Sequence, residues 1–387
     1  MIKRMYLLHK TIHNKVMSDI NPYLRRLVRL LALPYCYLFL IDWHECTRSK
    51  LSVLKDLLYI FFVLKYYPDN YGRCRLWEKD RSQWKYYYGS IYDPYQRKAL
   101  SRMIQRKEYV IVFEDKYICN ELCKAASIPL PISYGIVEPN TDYESKLTSI
   151  LRAVSPRSII IKPLLGSGGD GIAIVRDMSG HIVVNIDNEE VSLRNFKLNE
   201  PSFVQEYIDQ VPEVSQFSSS TNTVRIVTLL TSNGDVIILG SMMRFGVNNS
   251  LIDNTSRGGI AVGINSSNGT LMNEAYNIRG NIFEKHPDSG LPFHGFRLPY
   301  WKETVQLAER IQRYFFFYKM LCCDFGLSPH GPLVIELNAR HDNVGLEQKV
   351  GPLLLNPRTL YEFRTYGLLV NQPTNNIAVD HVTQRSL

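Results

Sequence analysis

The chain contains no apolar run long enough to cross a bilayer. Its two greasy stretches, residues 30–41 and 57–64, hold twelve and eight residues, and the first contains Pro34; a spanning helix needs ~20. The basic start MIKR leads into polar residues, and the first greasy stretch ends at Asp42 without a small-residue cleavage site, so no secretory leader is read. The seven cysteines are odd in number and form no CxxC pair. They read as free thiols of a reducing compartment, and the expected location is the cytoplasm. His44 and Cys46 stand close but lack a second ligand pair, which excludes a zinc-type set there. No Ser-His-Asp or Cys-His nucleophile constellation, internal repeat or low-complexity segment is present. Hydrophobic content of 45% and charged content of 21% describe a folded chain rather than a disordered one.

Charge, in contrast, is abundant and uneven. Residues 1–108 hold 21 Lys+Arg against 9 Asp+Glu, a net +12, and the remainder holds 24 against 28, a net −4. A basic front end on a slightly acidic body suggests an anionic partner, such as a membrane surface or an anionic, lipid-linked glycan. Nucleic acid is disfavoured, because no nucleic-acid module signature accompanies the charge. The front end reads as helical. Asn21-Pro22 supplies a cap and first-turn proline, and Ser49 opens a helix over 49–67. The greasy stretches are buried helices or else rest on a membrane beside Arg25, Arg26 and Arg29. The tyrosine-rich segment 84–95 packs this region onto the body or stacks nucleobases, and packing is the expectation.

From Tyr109 the texture changes. Residues 109–113 read as a strand, Asp115-Lys116 opens a helix, 132–137 is a strand and 142–153 a helix. Next comes IIIKPLLGSGGDGIAIV, residues 159–175. The letters Gly166-Ser167-Gly168-Gly169-Asp170-Gly171 satisfy G-x-G-x-x-G, but strands follow instead of the helix whose N-terminus would hold a pyrophosphate. No Lys-Ser/Thr follows either, so a P-loop is excluded. What remains is a glycine-rich hairpin, either a phosphate cover with Lys162 on the strand leading in, or a flexible surface turn. Further strands are expected at 202–207, 223–230, 235–244, 259–264, 320–324 and 332–337, with a helix from Thr304 to Lys319. Strands joined by hairpins, with few crossover helices, predict an α+β chain with mixed or antiparallel sheets.

Two of these strands carry carboxylates. If residues 325–332 form the turn between them, Asp324 comes beside Glu336, and Asn338 shares a face with Glu336 because strand side chains alternate. Two carboxylates and an amide make an all-oxygen cluster suited to Mg²⁺, or else a solvated strand face.

Taken in order, FEDK, IIIKPLLGSGGDGI, FVQEYI, TNTVRIVTLL, MRFG, DNTSRGGIAVGI, HPDSG and CDFG…GPLVIELN resemble the ATP-grasp superfamily, and its sugar-transfer associated branch most closely. The resemblance runs from about residue 109 to the C-terminus. It implies two α+β lobes sandwiching ATP: residues 109–198 as the small lobe with the glycine lid, and 199–387 as the lobe with metal and acceptor sites, after a basic helical region over 1–108. It implies that Lys116 and Lys162 bind nucleotide phosphates, with Gly166, Ser167, Gly168, Gly169 and Gly171 in the lid. Gln205 would meet the adenine amino group, the backbone of Glu206 and Ile208 would complete the adenine contacts, and Glu213 would take the ribose. Asp324, Glu336 and Asn338 would hold Mg²⁺, as a pair of ions with Mn²⁺ as a substitute. Arg225 and Arg244 would neutralise the transferring phosphoryl group or its acceptor. One position departs: D-alanine ligase-like members place an arginine two residues before the metal aspartate, where this chain has Cys322. The implied activity is an ADP-forming ligase that joins a carboxylate to an amine or thiol in surface-polysaccharide biosynthesis. The competing expectations are a phosphotransferase acting on a sugar-like hydroxyl and a non-catalytic nucleotide-binding scaffold. Residues 248–259 and 284–301 are the expected acceptor-side segments.

Overall fold

Two sheets in a computed structural model position everything that follows. The structure describes residues 22–89, 96–153, 158–166, 168–186 and 189–367. The cap at Asn21, the lid residue Ser167 and part of the tyrosine-rich segment lie outside the described residues. The first sheet comprises β1 (Ser133–Val137), β2 (Ser158–Pro163), β3 (Ala173–Met178), β4 (His181–Ile186), β5 (Glu189–Ser192) and β6 (Ser202–Glu206), in the order β1-β6-β2-β3-β4-β5. The second comprises β7 (Thr223–Leu230), β8 (Val236–Phe245), β9 (Ile260–Ile264), β10 (Leu271–Tyr276), β11 (Ile282–Phe283), β12 (Met320–Ser328) and β13 (Gly331–Asn338), in the order β11-β10-β9-β8-β7-β12-β13. Every described pairing is antiparallel.

The local reasons are legible. Ser179 and Gly180 both take positive φ, 56° and 96°, so the two-residue loop between β3 and β4 matches the twist of its strands. Among the helices, α1 spans Pro22–Leu31, α2 Leu33–Phe39, α3 Lys50–Tyr59, α4 Gln96–Ile104, α5 Lys116–Ala125, α6 Tyr143–Ala153, α7 Trp301–Tyr314, α8 Asn343–Val350 and α9 Pro357–Thr365. Ser49 caps α3 by accepting from the Ser52 N–H, and Asp115 caps α5 by accepting from the N–H groups of Tyr117 and Ile118.

Several expectations need correction. Residues 109–113 are not a strand but the end of a 3₁₀ turn followed by a short helix, Ile111–Glu114. Val110 and Phe113, three apart, are buried while Ile111 is exposed, which is helical spacing. The boundary at 198 falls one strand early, because β6 lies between β1 and β2 in the first sheet. The turn expected over 325–332 shrinks to Pro329-His330, since β12 and β13 pair as far as Ser328 and Gly331.

The front end does not stand apart. Tyr66, Tyr67, Tyr71, Trp77, Trp84 and Tyr87 are buried in a core that also takes in Val344 of α8. Tyr88, Leu100 and Ile104 join the core beneath the second sheet. The N–H groups of Tyr88 and Gly89 donate to the two oxygens of Glu347, at 2.5 and 2.8 Å. The described part of the tyrosine-rich segment, residues 84–89, therefore packs, as expected. Among the described residues, no helix is long and apolar enough to cross a membrane.

Candidate functional site

The register of the second sheet lines up a charged row. On β7, Arg225 pairs with Asp324 of β12, which in turn pairs with Glu336 of β13. On the other side, Thr223 pairs with Arg244 of β8. Arg225 grips Asp324 with both arms, Nε to Oδ1 and Nη2 to Oδ2 each at 2.7 Å, and Arg244 Nη2 adds a third bond to Oδ2 at 3.1 Å. Burial alone would raise the Asp324 carboxyl, but the two guanidiniums outweigh it and hold it below the usual carboxylate range. Arg244 is positioned in turn by Thr223 Oγ1, 2.8 Å from its Nε, and by Asp253 at 3.5 Å. Cys322, two residues before Asp324, is fully buried, and the guanidiniums that meet Asp324 stand on β7 and β8.

A β-bulge completes the row. Asp324 faces Glu336 but Phe325 faces Val334, so Ile335 is an extra residue. Bulges re-aim side chains, and here Ile335, Glu336 and Asn338 all line one cleft. A Cβ on Gly326 would come within 3.0 Å of Ile208 and 3.1 Å of Ile335, so a bare glycine leaves room for both as an apolar wall.

The cleft, about 1050 Å³ and open to solvent, lies between this row and the first sheet. From that side come Lys116, whose Nζ donates to the Gly166 carbonyl at 3.0 Å and stands 3.8 Å from Glu336, and Lys162. Lys162 is 6% exposed and bonds Gln205 Oε1 at 3.1 Å. Burial pushes its ammonium down to about 8, an effect the Glu336 charge partly offsets. The glycine hairpin closes the top. Gly168, Gly169 and Gly171 take φ of 79°, 79° and 69°, and a Cβ on Gly171 would meet Pro163 Cγ at 2.9 Å. Asp170 pairs with Arg257 at 2.7 Å, which seats the hairpin on the loop of the other lobe.

Of the expected site residues, Lys116, Lys162, Gly166, Gly168, Gly169, Glu206, Ile208, Arg225, Arg244, Asp324, Glu336 and Asn338 all line this cleft. Gln205 does not; it lies in a smaller adjoining pocket, bonded to Lys162 and Asn120. Glu213 is on the exposed side of a one-turn helix, away from the cleft, because Val214 is the residue of that turn that the core takes. Leu251 to Asn254 reach the cleft, whereas no residue of 284–301 does: Phe293, Leu298 and Trp301 are buried in the core. Sequence reasoning missed Thr223 and Asp253. Thr223 stands two residues before Arg225 and so shares its face, a signal the spacing does offer.

Two carboxylates and an amide are residue types suited to a hard cation, although here Arg225 and Arg244 hold both Asp324 oxygens and Asn338 turns its Nδ2 toward them. Asp324, Glu336 and Asn338 are oxygen-bearing and adjacent, with Asn338 Nδ2 3.3 Å from Asp324 Oδ2. Among the described residues, no group of three His, Cys, Asp or Glu side chains is placed to hold a metal ion, so such a cation would lean on the amide as well as the two carboxylates.

Two antiparallel sheets enclosing a lysine- and carboxylate-lined cleft under a glycine hairpin define an ATP-grasp protein. The chain matches the family described as sugar-transfer associated ATP-grasp over residues 95–359, more than half its length, and belongs to that family. Similar solved structures include an N5-carboxyaminoimidazole ribonucleotide synthetase in complex with ADP (12% identity, 63% of this chain and 52% of that one, TM-score 0.36). They also include phosphoribosylamine–glycine ligase from Thermotoga maritima (14%, 69% and 58%, 0.39) and D-alanine–D-alanine ligase from Coxiella burnetii (12%, 66% and 58%, 0.34). The chain thus spans little more than half of each, and it is the family match that places it. No curated protein sequence matches the chain.

Proposed function

We propose that the protein is an ATP-dependent ligase that activates a carboxylate as an acyl phosphate and passes the acyl group to an amine, in the building or modification of a surface polysaccharide. The observation that carries this reading is the convergence of Lys116, Lys162, Arg225, Arg244, Asp324, Glu336 and Asn338 on one cleft beside the glycine hairpin. Nucleotide phosphates would lie against Lys116 and Lys162, with the base between the apolar wall of Ile208 and Ile335. Asp324, Glu336 and Asn338 would hold Mg²⁺, which screens the polyphosphate charge when bound. Arg225 and Arg244 neutralise the carboxylate as it approaches the phosphoryl group, a contribution that grows as water is excluded. The hairpin keeps water off the acyl phosphate until the amine arrives.

The test is ADP release from ATP and Mg²⁺ with pooled amino acids and uronic or amino-sugar compounds, with and without hydroxylamine. A carboxylate-dependent signal that rises with hydroxylamine and yields a hydroxamate is expected, and Glu336→Gln should abolish it without altering the circular dichroism spectrum. ADP release driven by a sugar alone, with a stable phosphoester as product, would replace the ligase by a phosphotransferase.

A further inference from the structure

The N-terminal helices are apolar on two sides. In α3, Val53 and Leu57 are buried, and Ile60 and Phe61 continue that face into the core. On the opposite side Leu51, Leu54 and Leu58 are 63, 42 and 37% exposed, and Phe62 and Val63 follow at 50 and 46%. At about 100° per residue, Leu51, Leu54 and Leu58 fall within an arc of about 60°, and Lys55 flanks it. α1 and α2 add Leu27, Leu31 and Leu38, each more than half exposed. Among the described residues, nine of the twenty-two exposed large apolar side chains fall between Leu27 and Val63. Scattered exposed leucines need no explanation, but a concentration of them marks a surface that meets something apolar.

Charge selects what that is. The face belongs to residues 1–108, whose net charge is +12, and Lys50, Lys55 and Lys65 are exposed around the stripe. A second copy would set like charge against like. No described helix is long enough to span a membrane, so the face would lie in the interface plane. We infer that α1 to α3 form a docking surface for an anionic lipid bilayer: Leu51, Leu54, Leu58 and Phe62 enter the boundary between headgroups and acyl chains, and Lys50, Lys55 and Lys65 meet anionic headgroups. This holds whatever reaction the cleft performs.

The experiment is flotation of the full chain with phosphatidylcholine vesicles in which one lipid in three is phosphatidylglycerol, against vesicles of phosphatidylcholine alone. Binding to the anionic vesicles is expected. It should weaken as salt rises from ~0.1 to ~1 M and the screening length falls from about 10 to about 3 Å. The double variant Leu54→Glu/Leu58→Glu should bind about tenfold less, with unchanged circular dichroism and nucleotide affinity. Failure of the full chain to float with anionic vesicles, or equal binding by the variant, overturns the proposal. So does a fall in the variant's melting temperature, which would mean that the chain covers this face itself. A dimer in solution that the variant splits also overturns it, by assigning the face to a second copy.

Discussion

Lys162 places an ammonium at 6% exposure, bonded among the described residues to the amide oxygen of Gln205. Because burial lowers its proton affinity to about 8, the folded chain releases this proton between about pH 8 and the unfolded value of 10.5. Stability therefore rises with pH through that window, and below it the charged form costs on the order of 3 kcal/mol. On the proposed function, an incoming polyphosphate offsets that cost. Nucleotide affinity should accordingly fall about tenfold between pH 7 and 9, while Lys162→Met binds weakly with a flat profile; titration calorimetry at the two pH values decides, and a flat wild-type profile would remove Lys162 from phosphate binding. Asp324 shows the opposite balance. It is 1% exposed and gripped by two guanidiniums. Arg225→Ala strands much of that charge, so a loss of about 3–5 kcal/mol is expected in urea unfolding. Adding Asp324→Asn should restore more than half of it.

At the scale of elements, what the sequence made legible was whatever local chemistry determines. Strands β7 to β9 fell within a residue of their expected bounds, with Thr223–Leu230 as expected, and the Asp115 cap began α5 at Lys116. The pairing of Asp324 with Glu336 followed from two short strands and a turn. What could not be read was set by distant partners. Residues 109–113 are β-branched and aromatic enough for a strand, but contacts of Phe113 with Phe315 and Tyr318 hold them in a helical turn. The bulge at Ile335 has no signature in the letters, since it depends on the partner strand. It predicts its own tolerance: Val334 and Leu337 face the core on either side of it, so deleting Ile335 leaves a strict alternation with Glu336 and Asn338 still toward the cleft. A chain without Ile335 should unfold cooperatively, near the wild-type midpoint, while losing nucleotide affinity through the missing wall. Aggregation of that variant would show that the extra residue is required for pairing. Glu213 was misplaced for a related reason, because a one-turn helix sets its direction by which neighbour the core takes.

For the molecule as a whole, the uneven charge was visible in composition, but the degree to which the front end is built into the body was not. Tyr88, Leu100 and Ile104 share a core with Leu346, Leu354 and Phe363. Removing residues 1–100 would uncover that core, so a truncated chain is expected to lose its cooperative unfolding transition in urea; a sharp transition in the truncated chain would show the body to be autonomous. The proposed docking face is accordingly tested with surface substitutions.

Glu347 carries this further, into comparison between relatives. The family match begins at residue 95, yet this carboxylate, inside the match and 1% exposed, accepts the N–H groups of Tyr88 and Gly89, which lie ahead of the match, as well as that of Leu353 within it at 3.2 Å. An acid so deeply placed is costly without such donors. A relative that lacks the helical front end loses two of these three donors and should favour an apolar residue at the corresponding position, whereas one that keeps the acid should also keep a segment to meet it. A single letter in the last quarter of the chain would then report how its first quarter is built.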